Sequence, residues 1–235
     1  MTHYIYKTIR SFLLKIFKGL VGEKFVELIK EIRFMFKPNY ENSPKTAMMN
    51  IDLKSYLYEV SAGKDVIEFG SGGSTFLFGE ISRKLVSIES DLKFVNILKP
   101  LIGKYHNISL IYVNIGPTTF YGKPVEIFEV LFRSKYNNYS DVKKLISNQK
   151  NFKPEIIFID GRFRVACFLQ CIIELNGPLH IIFDDYFDRP NYHVLDRLSI
   201  TPVDRIHNTA IFKIENFADK ISANTILQDY KEDYR

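Results

Sequence analysis

The stretch Asp65-Val-Ile-Glu-Phe-Gly-Ser-Gly-Gly-Ser-Thr75 decides the fold of this 235-residue chain. A short buried strand is predicted from Val66 to Phe69, and the glycines after it predict a tight turn into a helix. Ser74 or Thr75 would cap that helix. Glycine has no side chain, so a ligand can approach such a turn closely. Because ligands of open α/β sheets bind at the carboxyl ends of strands, the stretch predicts a ligand-binding loop.

The loop lacks the signatures of two common nucleotide sites. A phosphate-binding loop needs Gly-Lys-Ser/Thr, and the loop contains no lysine. A dinucleotide fingerprint needs Gly-x-Gly-x-x-Gly; Gly70 and Gly72 fit it, but Thr75 stands at the third glycine. An ordinary strand–helix turn would show the same glycines, so the loop alone leaves its ligand open.

The order acid-x-Gly-x-Gly resembles the first motif of the class I S-adenosylmethionine (SAM) methyltransferases. The resemblance implies SAM as cofactor, with Glu68 at its methionine end and the glycine loop in close backbone contact with it. The loop residues that it assigns to the cofactor are Glu68, Gly70, Ser71, Gly72, Gly73 and Ser74.

Two further strand ends carry polar residues. Leu85 to Glu89 predicts a second strand, and Glu89 follows the glycine loop by about 20 residues, where Rossmann-like folds place an acid on the ribose hydroxyls. A solvated acid, or a cap for the helix near Asp91, is the alternative. Ile108 to Ile115 predicts a third strand, and the resemblance places Asn114 near the adenine.

Acids also follow the fourth and fifth predicted strands, Glu155 to Asp160 and His180 to Phe183. Parallel strands point their carboxyl ends the same way, so Asp160, Asp184 and Asp185 are expected in one crevice. They offer oxygen ligands for Mg²⁺, which would lower the pKa of a substrate hydroxyl. The pattern resembles metal-dependent O-methyltransferases. Capping of the next turn and helix by these acids is the alternative.

Basic residues flank the same crevice. Arg162, Arg164 and Arg189 stand at predicted helix starts, where positive charge opposes the helix dipole, so we expect them to bind a substrate carboxylate or phosphate. Internal pairs with the neighbouring aspartates are the alternative. His193 is the candidate general base, because its unperturbed pKa is near 6.5; a surface or core-packed histidine is the alternative. The candidate catalytic residues are His193, Asp160 and Arg162, and Asp160 is also assigned to the cofactor.

Longer motifs extend the resemblance over roughly residues 60–215. Glu-Phe-Gly-Ser-Gly-Gly-Ser-Thr, Ser-Ile-Glu-Ser-Asp, Ile-Gly-Pro-Thr, Ile-Asp-Gly-Arg-Phe-Arg-Val-Ala-Cys and Asp-Tyr-Phe-Asp-Arg-Pro-Asn-Tyr-His are similar to those of a poorly characterised bacterial methyltransferase-like family. Membership of that family would imply SAM-dependent methyl transfer to an acceptor that the motifs do not define.

Residues 1–40 predict an amphipathic, basic helical arm. Apolar residues recur at helical spacing, and residues 1–38 hold eight basic and three acidic side chains, which accounts for the net charge of +5. The near-neutral body, residues 50–235, argues against a nucleic-acid partner. The arm suits peripheral contact with an anionic membrane, a homodimer interface, or docking on the chain's own domain. Its apolar runs fall short of the ~20 residues of a membrane span.

Cys167 and Cys171 show neither zinc nor disulfide spacing, which favours a reducing cytoplasm, with the inner face of the membrane as the site of any lipid contact. Residues 116–153 interrupt the strand–helix alternation and predict a substrate-side insertion, a wall or lid. Val203 to Arg205 and Thr209 to Ile214 predict an antiparallel hairpin. The whole predicts an α/β, Rossmann-like, seven-stranded, mostly parallel sheet with an antiparallel C-terminal hairpin and an N-terminal helical arm.

We therefore expect a SAM-dependent methyltransferase that methylates oxygen on a sugar, a glycan precursor or another small hydroxylated acceptor. An NAD-dependent oxidoreductase or epimerase is the enzymatic alternative. Thr75 disfavours it, as does the lack of a Tyr-x-x-x-Lys pair outside the insertion. The non-enzymatic alternative is a SAM-fold binding protein that reaches a membrane or partner through its arm.

Overall fold

The computed structural model describes residues 23–36 and 49–235. The part of the predicted arm before Glu23 and residues 37–48 lie outside the described residues. Within the described part, no helix combines the length and apolar character that crossing a membrane would require.

A single seven-stranded sheet organises the body. Its strands are β1 (Asp65–Phe69), β2 (Lys84–Glu89), β3 (Ile108–Tyr112), β4 (Ile156–Ile159), β5 (Leu179–Phe183), β6 (Asp204–Ile206) and β7 (Thr209–Ile214). Their order is β3-β2-β1-β4-β5-β7-β6. The first five in that order pair in parallel, and β7 pairs antiparallel with both β5 and β6. The predicted sheet and its closing hairpin are confirmed.

Helices cover both faces of the sheet. They are α1 (Glu23–Phe36), α2 (Ile51–Ser61), α3 (Gly73–Ile81), α4 (Leu92–Ile102), α5 (Glu129–Phe132), α6 (Asn137–Ser140), α7 (Val142–Ile146), α8 (Arg164–Glu174) and α9 (Lys220–Tyr230). Four 3₁₀ segments span Phe120–Gly122, Glu126–Phe128, Arg133–Lys135 and Pro190–Leu198.

β1 shows how the core forms. All five of its residues are buried, and alternate side chains enter different layers. Ile67 and Phe69 join the layer under α8 and α9, whereas Val66 joins the layer under α2 and α3. A strand covered on both faces has no polar side, which is why Val66, Ile67 and Phe69 are all apolar, and Glu68 between them is buried as well.

One strand end differs from the prediction, and asparagine side chains support two local turns. Asn50 caps α2, because its Oδ1 accepts the N–H of Asp52 at 2.7 Å, and Asp52 lies inside the first turn. β3 ends at Tyr112 rather than Ile115. The chain turns there, and Asn114 Oδ1 accepts the Gly116 N–H at 2.9 Å.

The insertion and α1 pack on the body. Tyr136 and Tyr139 of the insertion are 1% exposed and belong to the main core. On α1, Glu31 is buried and pairs with Lys123 Nζ at 3.2 Å. The described part of the arm therefore docks on its own domain. The C-terminal helix α9 buries Ala223 against the core.

Candidate functional site

Sheet order reverses between β1 and β4, so a crevice opens there at the carboxyl ends of the strands. Gly70 follows β1 with φ +97°, a conformation that favours glycine. A Cβ on Gly70 would lie 2.6 Å from Cα and N of Gly161, which follows β4. The two loops therefore meet backbone against backbone, and Gly161 in turn lies against the hydroxyl of the buried Tyr139.

Gly72 has a different role. Its φ of −178° is extended backbone that any residue adopts, and a Cβ there would meet nothing within 4 Å. It is also the N-cap of α3, and its N–H is accepted by Thr75 Oγ1 at 2.9 Å. The predicted cap is thus corrected: Thr75 supports the cap from the first turn. Glycine at position 72 leaves open space beside the backbone.

Glu68 lies beneath the loop. It is fully buried, and its carboxylate accepts hydroxyl hydrogen bonds from Ser74, from Thr75 at 2.7 Å and from Ser87 at 2.5 Å. Burial raises the pKa of this carboxyl to about 7, against the lowering by the three hydroxyls. Because no surface of Glu68 reaches solvent, the geometry gives it a positioning role rather than the direct ligand contact implied by the resemblance.

Glu89 closes the next strand end. Its Oε1 accepts the backbone N–H groups of Ser90 at 2.6 Å and Asp91 at 2.9 Å. Burial raises the pKa of the Glu89 carboxyl to about 7, and those N–H groups, with that of Ser71, oppose the rise. Asp91 is the helix cap here, since its Oδ1 accepts the N–H of Lys93 at 2.9 Å. Glu89 therefore remains available as the acid of the crevice.

Part of the insertion lies over both halves of the crevice. We call residues 118–124, which a bridge between Thr118 and Pro124 closes, the cover loop. A Cβ on its Gly122 would lie 3.4 Å from Glu89 Oε1. One residue earlier, the carbonyl of Tyr121 accepts a hydrogen bond from Arg162 Nε at 2.9 Å.

Arginines of the chain itself pair with two of the three aspartates that were predicted to bind a metal. Arg164 is buried and lies 2.9 Å from Asp160 Oδ1 and 3.2 Å from Asp185 Oδ2. Arg189 also contacts Asp185, at 2.6 Å, and Asp184 Oδ1 accepts from Thr209 at 2.5 Å. These contacts are the internal pairing that the sequence left as the alternative for Arg164 and Arg189.

The arrangement does not fit the predicted Mg²⁺ site. Across residues 23–36 and 49–235, no group of three acidic, histidine or cysteine side chains is placed to hold a metal ion. Asp160 and Asp185 instead face guanidinium groups, and Asp184 accepts from a hydroxyl. A bound cation would have to displace those partners, so the metal assignment of Asp160, Asp184 and Asp185 is replaced by arginine pairing.

Asp160 keeps an accessible carboxylate at the end of β4. Its side chain is 41% exposed. Although part of the side chain is exposed, desolvation by the surrounding protein is the main cause that raises the pKa of the Asp160 carboxyl. The charge of Arg164 lowers this pKa, and the charges of Asp184 and Asp185 raise it. A carboxylate with a raised pKa, open to the crevice, can accept a proton near neutral pH.

His193 and Asn114 serve the local structure. His193 Nε2 lies 3.2 Å from the Tyr186 carbonyl, and the two rings pack with centroids 4.9 Å apart. Tyr186 itself is buried in the core. The geometry thus favours the packed-histidine alternative over the general base, and Asn114 supports the turn at Gly116. Sequence reasoning missed the contributions of Ser87, Tyr139 and Gly122.

Comparison with known proteins places the fold. No protein-family model matches the chain, and no curated protein matches it. A methyltransferase-like protein from Silicibacter pomeroyi has a similar structure, with a TM-score of 0.71 and 23% identity over 80% of this chain and 97% of that one. At this identity the likeness shows a shared fold alone.

Two other solved structures are more distant. The N-methyltransferase NodS from Bradyrhizobium japonicum has a TM-score of 0.44 and 9% identity over 70% of this chain and 96% of that one. Aeropyrum pernix fibrillarin, solved with natively bound SAM, has a TM-score of 0.42 and 12% identity over 69% and 73%. Neither supports a conclusion about function.

Proposed function

We propose that this chain is a SAM-dependent methyltransferase. One observation carries the proposal: an open glycine, Gly72, and a buried carboxylate, Glu89, stand at the ends of neighbouring parallel strands beside the point where sheet order reverses. The fold shared with the Silicibacter pomeroyi protein agrees with this assignment.

Each part of the loop has a distinct task in this proposal. Gly72 leaves room for the cofactor, and Ser71 brings its N–H towards Glu89. Glu89 accepts hydrogen bonds from the two ribose hydroxyls, because a carboxylate has two acceptor oxygens. Glu68 holds Ser74 and Thr75 from below and so fixes the shape of the loop.

We further propose that the methyl acceptor is an oxygen of a sugar, a glycan precursor or another small hydroxylated compound. When bound, SAM would supply the methyl group. The chain would align the acceptor and take up its proton, and alignment alone accounts for much of the rate in such reactions. Asp160 is the best-placed proton acceptor, because it is exposed to the crevice and its pKa is raised.

Calorimetry with SAM, S-adenosylhomocysteine (SAH), NAD and ATP tests the cofactor. We expect SAM and SAH to bind and NAD to fail. Glu89→Ala should weaken SAH binding by about 1–3 kcal/mol, because ribose hydroxyls would lose a buried acceptor. Glu59→Ala, on the exposed face of α2, is the matched control and should change nothing. Binding of NAD without SAM would refute the proposal.

A further inference from the structure

Arg162 differs from the two arginines beside it. Arg164 is compensated by Asp160 and Asp185, and Arg189 by Asp185. Among the described residues, Arg162 forms no ion pair, although it is half-buried at the crevice.

Two neighbouring arginines act on the charge of Arg162. Burial lowers the pKa of its guanidinium, and the neighbouring charges of Arg164 and Arg189 lower it further. The phenol groups of Tyr139 and Tyr192 act in the opposite direction. A partly desolvated cation that has no carboxylate partner of its own is unfavourable unless an anion comes close to it.

The guanidinium is held in a fixed direction. Its Nε donates to the Tyr121 carbonyl at 2.9 Å, which uses one of its five N–H bonds. The other four N–H bonds belong to the two terminal nitrogens, for which the described part of the chain shows no partner. Two parallel terminal N–H bonds match the two oxygens of a carboxylate or phosphate.

The location of Arg162 separates it from the cofactor end of the crevice. Gly72 follows β1, and Glu89 is the last residue of β2. Arg162 follows β4 and lies near Arg189 and Tyr192, which come after β5. Strand β1 separates β2 from β4 in the sheet. An anion on Arg162 would thus lie on the side of β4 and β5.

We infer that Arg162 is an anion subsite for the methyl acceptor, so that the acceptor carries a carboxylate or phosphate group besides the atom that is methylated. This inference rests on the proposed methyltransferase function and narrows its substrate class. The cover loop, which holds Arg162 through Tyr121, would orient the guanidinium before the acceptor arrives.

Titration of inorganic phosphate and of succinate into the protein saturated with SAH tests the inference. Ionic strength is held constant with sodium chloride, and heat of binding is measured. We expect one or both anions to bind once per chain, and the tighter of the two identifies the acceptor group. Arg162→Gln should weaken that binding by about 10- to 100-fold, the range for hydrogen bonds to charged groups. Arg162→Lys keeps the charge but loses the two parallel N–H groups of the guanidinium, so its anion affinity should lie between those of the unaltered protein and Arg162→Gln.

Arg197→Gln is the matched control, because Arg197 is an exposed arginine on the 190–198 segment. It should bind anion and SAH as the unaltered protein does. Circular dichroism and thermal unfolding show whether each variant folds, and Arg162→Lys keeps the test valid if Arg162→Gln does not.

Three results would overturn the inference. The first is that neither anion binds, and the second is that Arg162→Gln binds the anion as tightly as the unaltered protein. The third is that the anion displaces SAH and that Arg162→Gln has also lost SAH affinity. The last would place Arg162 in the cofactor site. The titration is repeated without SAH, so a chain that lacks SAH affinity contradicts the proposed function while the anion subsite is still tested.

Discussion

The two glycines of the loop after β1 should respond oppositely to alanine. Gly70→Ala puts a methyl group 2.6 Å from the Gly161 backbone and forces alanine to φ +97°. Unfavourable backbone conformation costs about 1–3 kcal/mol, and overpacking costs about 1–3 kcal/mol more. A loss of about 2–6 kcal/mol is a large part of the stability of an ordinary domain.

Gly72→Ala should leave stability nearly unchanged. The extended backbone accepts alanine, and the new methyl group meets nothing within 4 Å. Restricting the unfolded chain adds at most about 1 kcal/mol of stability. The methyl group would instead occupy space that we assign to SAM, so SAH binding should weaken by about 1–3 kcal/mol, the usual range for overpacking.

Urea unfolding and SAH calorimetry on both variants measure the two effects. Gly103→Ala is the control, because Gly103 is exposed, has helical backbone and would place its Cβ no closer than 3.5 Å to other atoms. A Gly70→Ala variant as stable as the unaltered chain would refute the proposed contact between the loops. A Gly72→Ala variant that binds SAH at full affinity would refute the assignment of the open space to the cofactor.

Three further predictions concern charge. Burial raises the pKa of Glu89 in the free protein to about 7, and the ribose hydroxyls favour the charged form of its carboxylate. SAH affinity should therefore fall by up to about tenfold per pH unit below pH 7. Calorimetry at several pH values measures this dependence, which should be weaker in Glu89→Gln. Arg164→Gln should cost about 1–3 kcal/mol in urea unfolding, because it removes a buried guanidinium from Asp160, from Asp185 and from the carbonyl of Gly161. Arg133→Gln, in an exposed pair, should cost less than about 1 kcal/mol. Deletion of residues 1–22 should keep SAH affinity and abolish dimerisation or liposome binding, measured by sedimentation and flotation; unchanged association would contradict a role for the arm.

Four of the parallel strands, β1, β2, β4 and β5, were predictable because they are short, mostly apolar runs with a glycine or an acid at the end. Such runs mark strands buried on both faces, and their spacing leaves room for helices between them. Glu89 was predictable for the same reason, since it terminates such a run at a fixed distance from the loop.

The arginine partners of Asp160 and Asp185 could also have been predicted from the sequence. Asp160 and Asp185 each precede an arginine by four residues, and both of those arginines pair with them. Four-residue spacing commonly brings opposite charges together. The metal site was predicted from the three acids together, whereas the spacing of each acid to its arginine favours an ion pair.

Other features depend on contacts between distant parts of the chain. The hydrogen bond from Arg162 to Tyr121 joins residues that are 41 positions apart in the chain. The contact of the Tyr139 hydroxyl with Gly161 forms only because the insertion packs on the body. No local period encodes either contact. The sequence therefore predicted an aromatic insertion on the substrate side without predicting which of its residues would reach the crevice.

The cover loop links the two halves of the proposed site. Gly122 packs against the Glu89 carboxylate, and the carbonyl of the preceding Tyr121 fixes Arg162. A side chain at position 122 would meet both Glu89 and Ser90, at 3.4 and 2.9 Å, and would push the loop away from the ribose acid. Because Tyr121 is the adjacent residue, the same displacement would release Arg162. A substitution in this loop should therefore disturb cofactor and anion binding together, whereas changes at Glu89 or Arg162 should each disturb one.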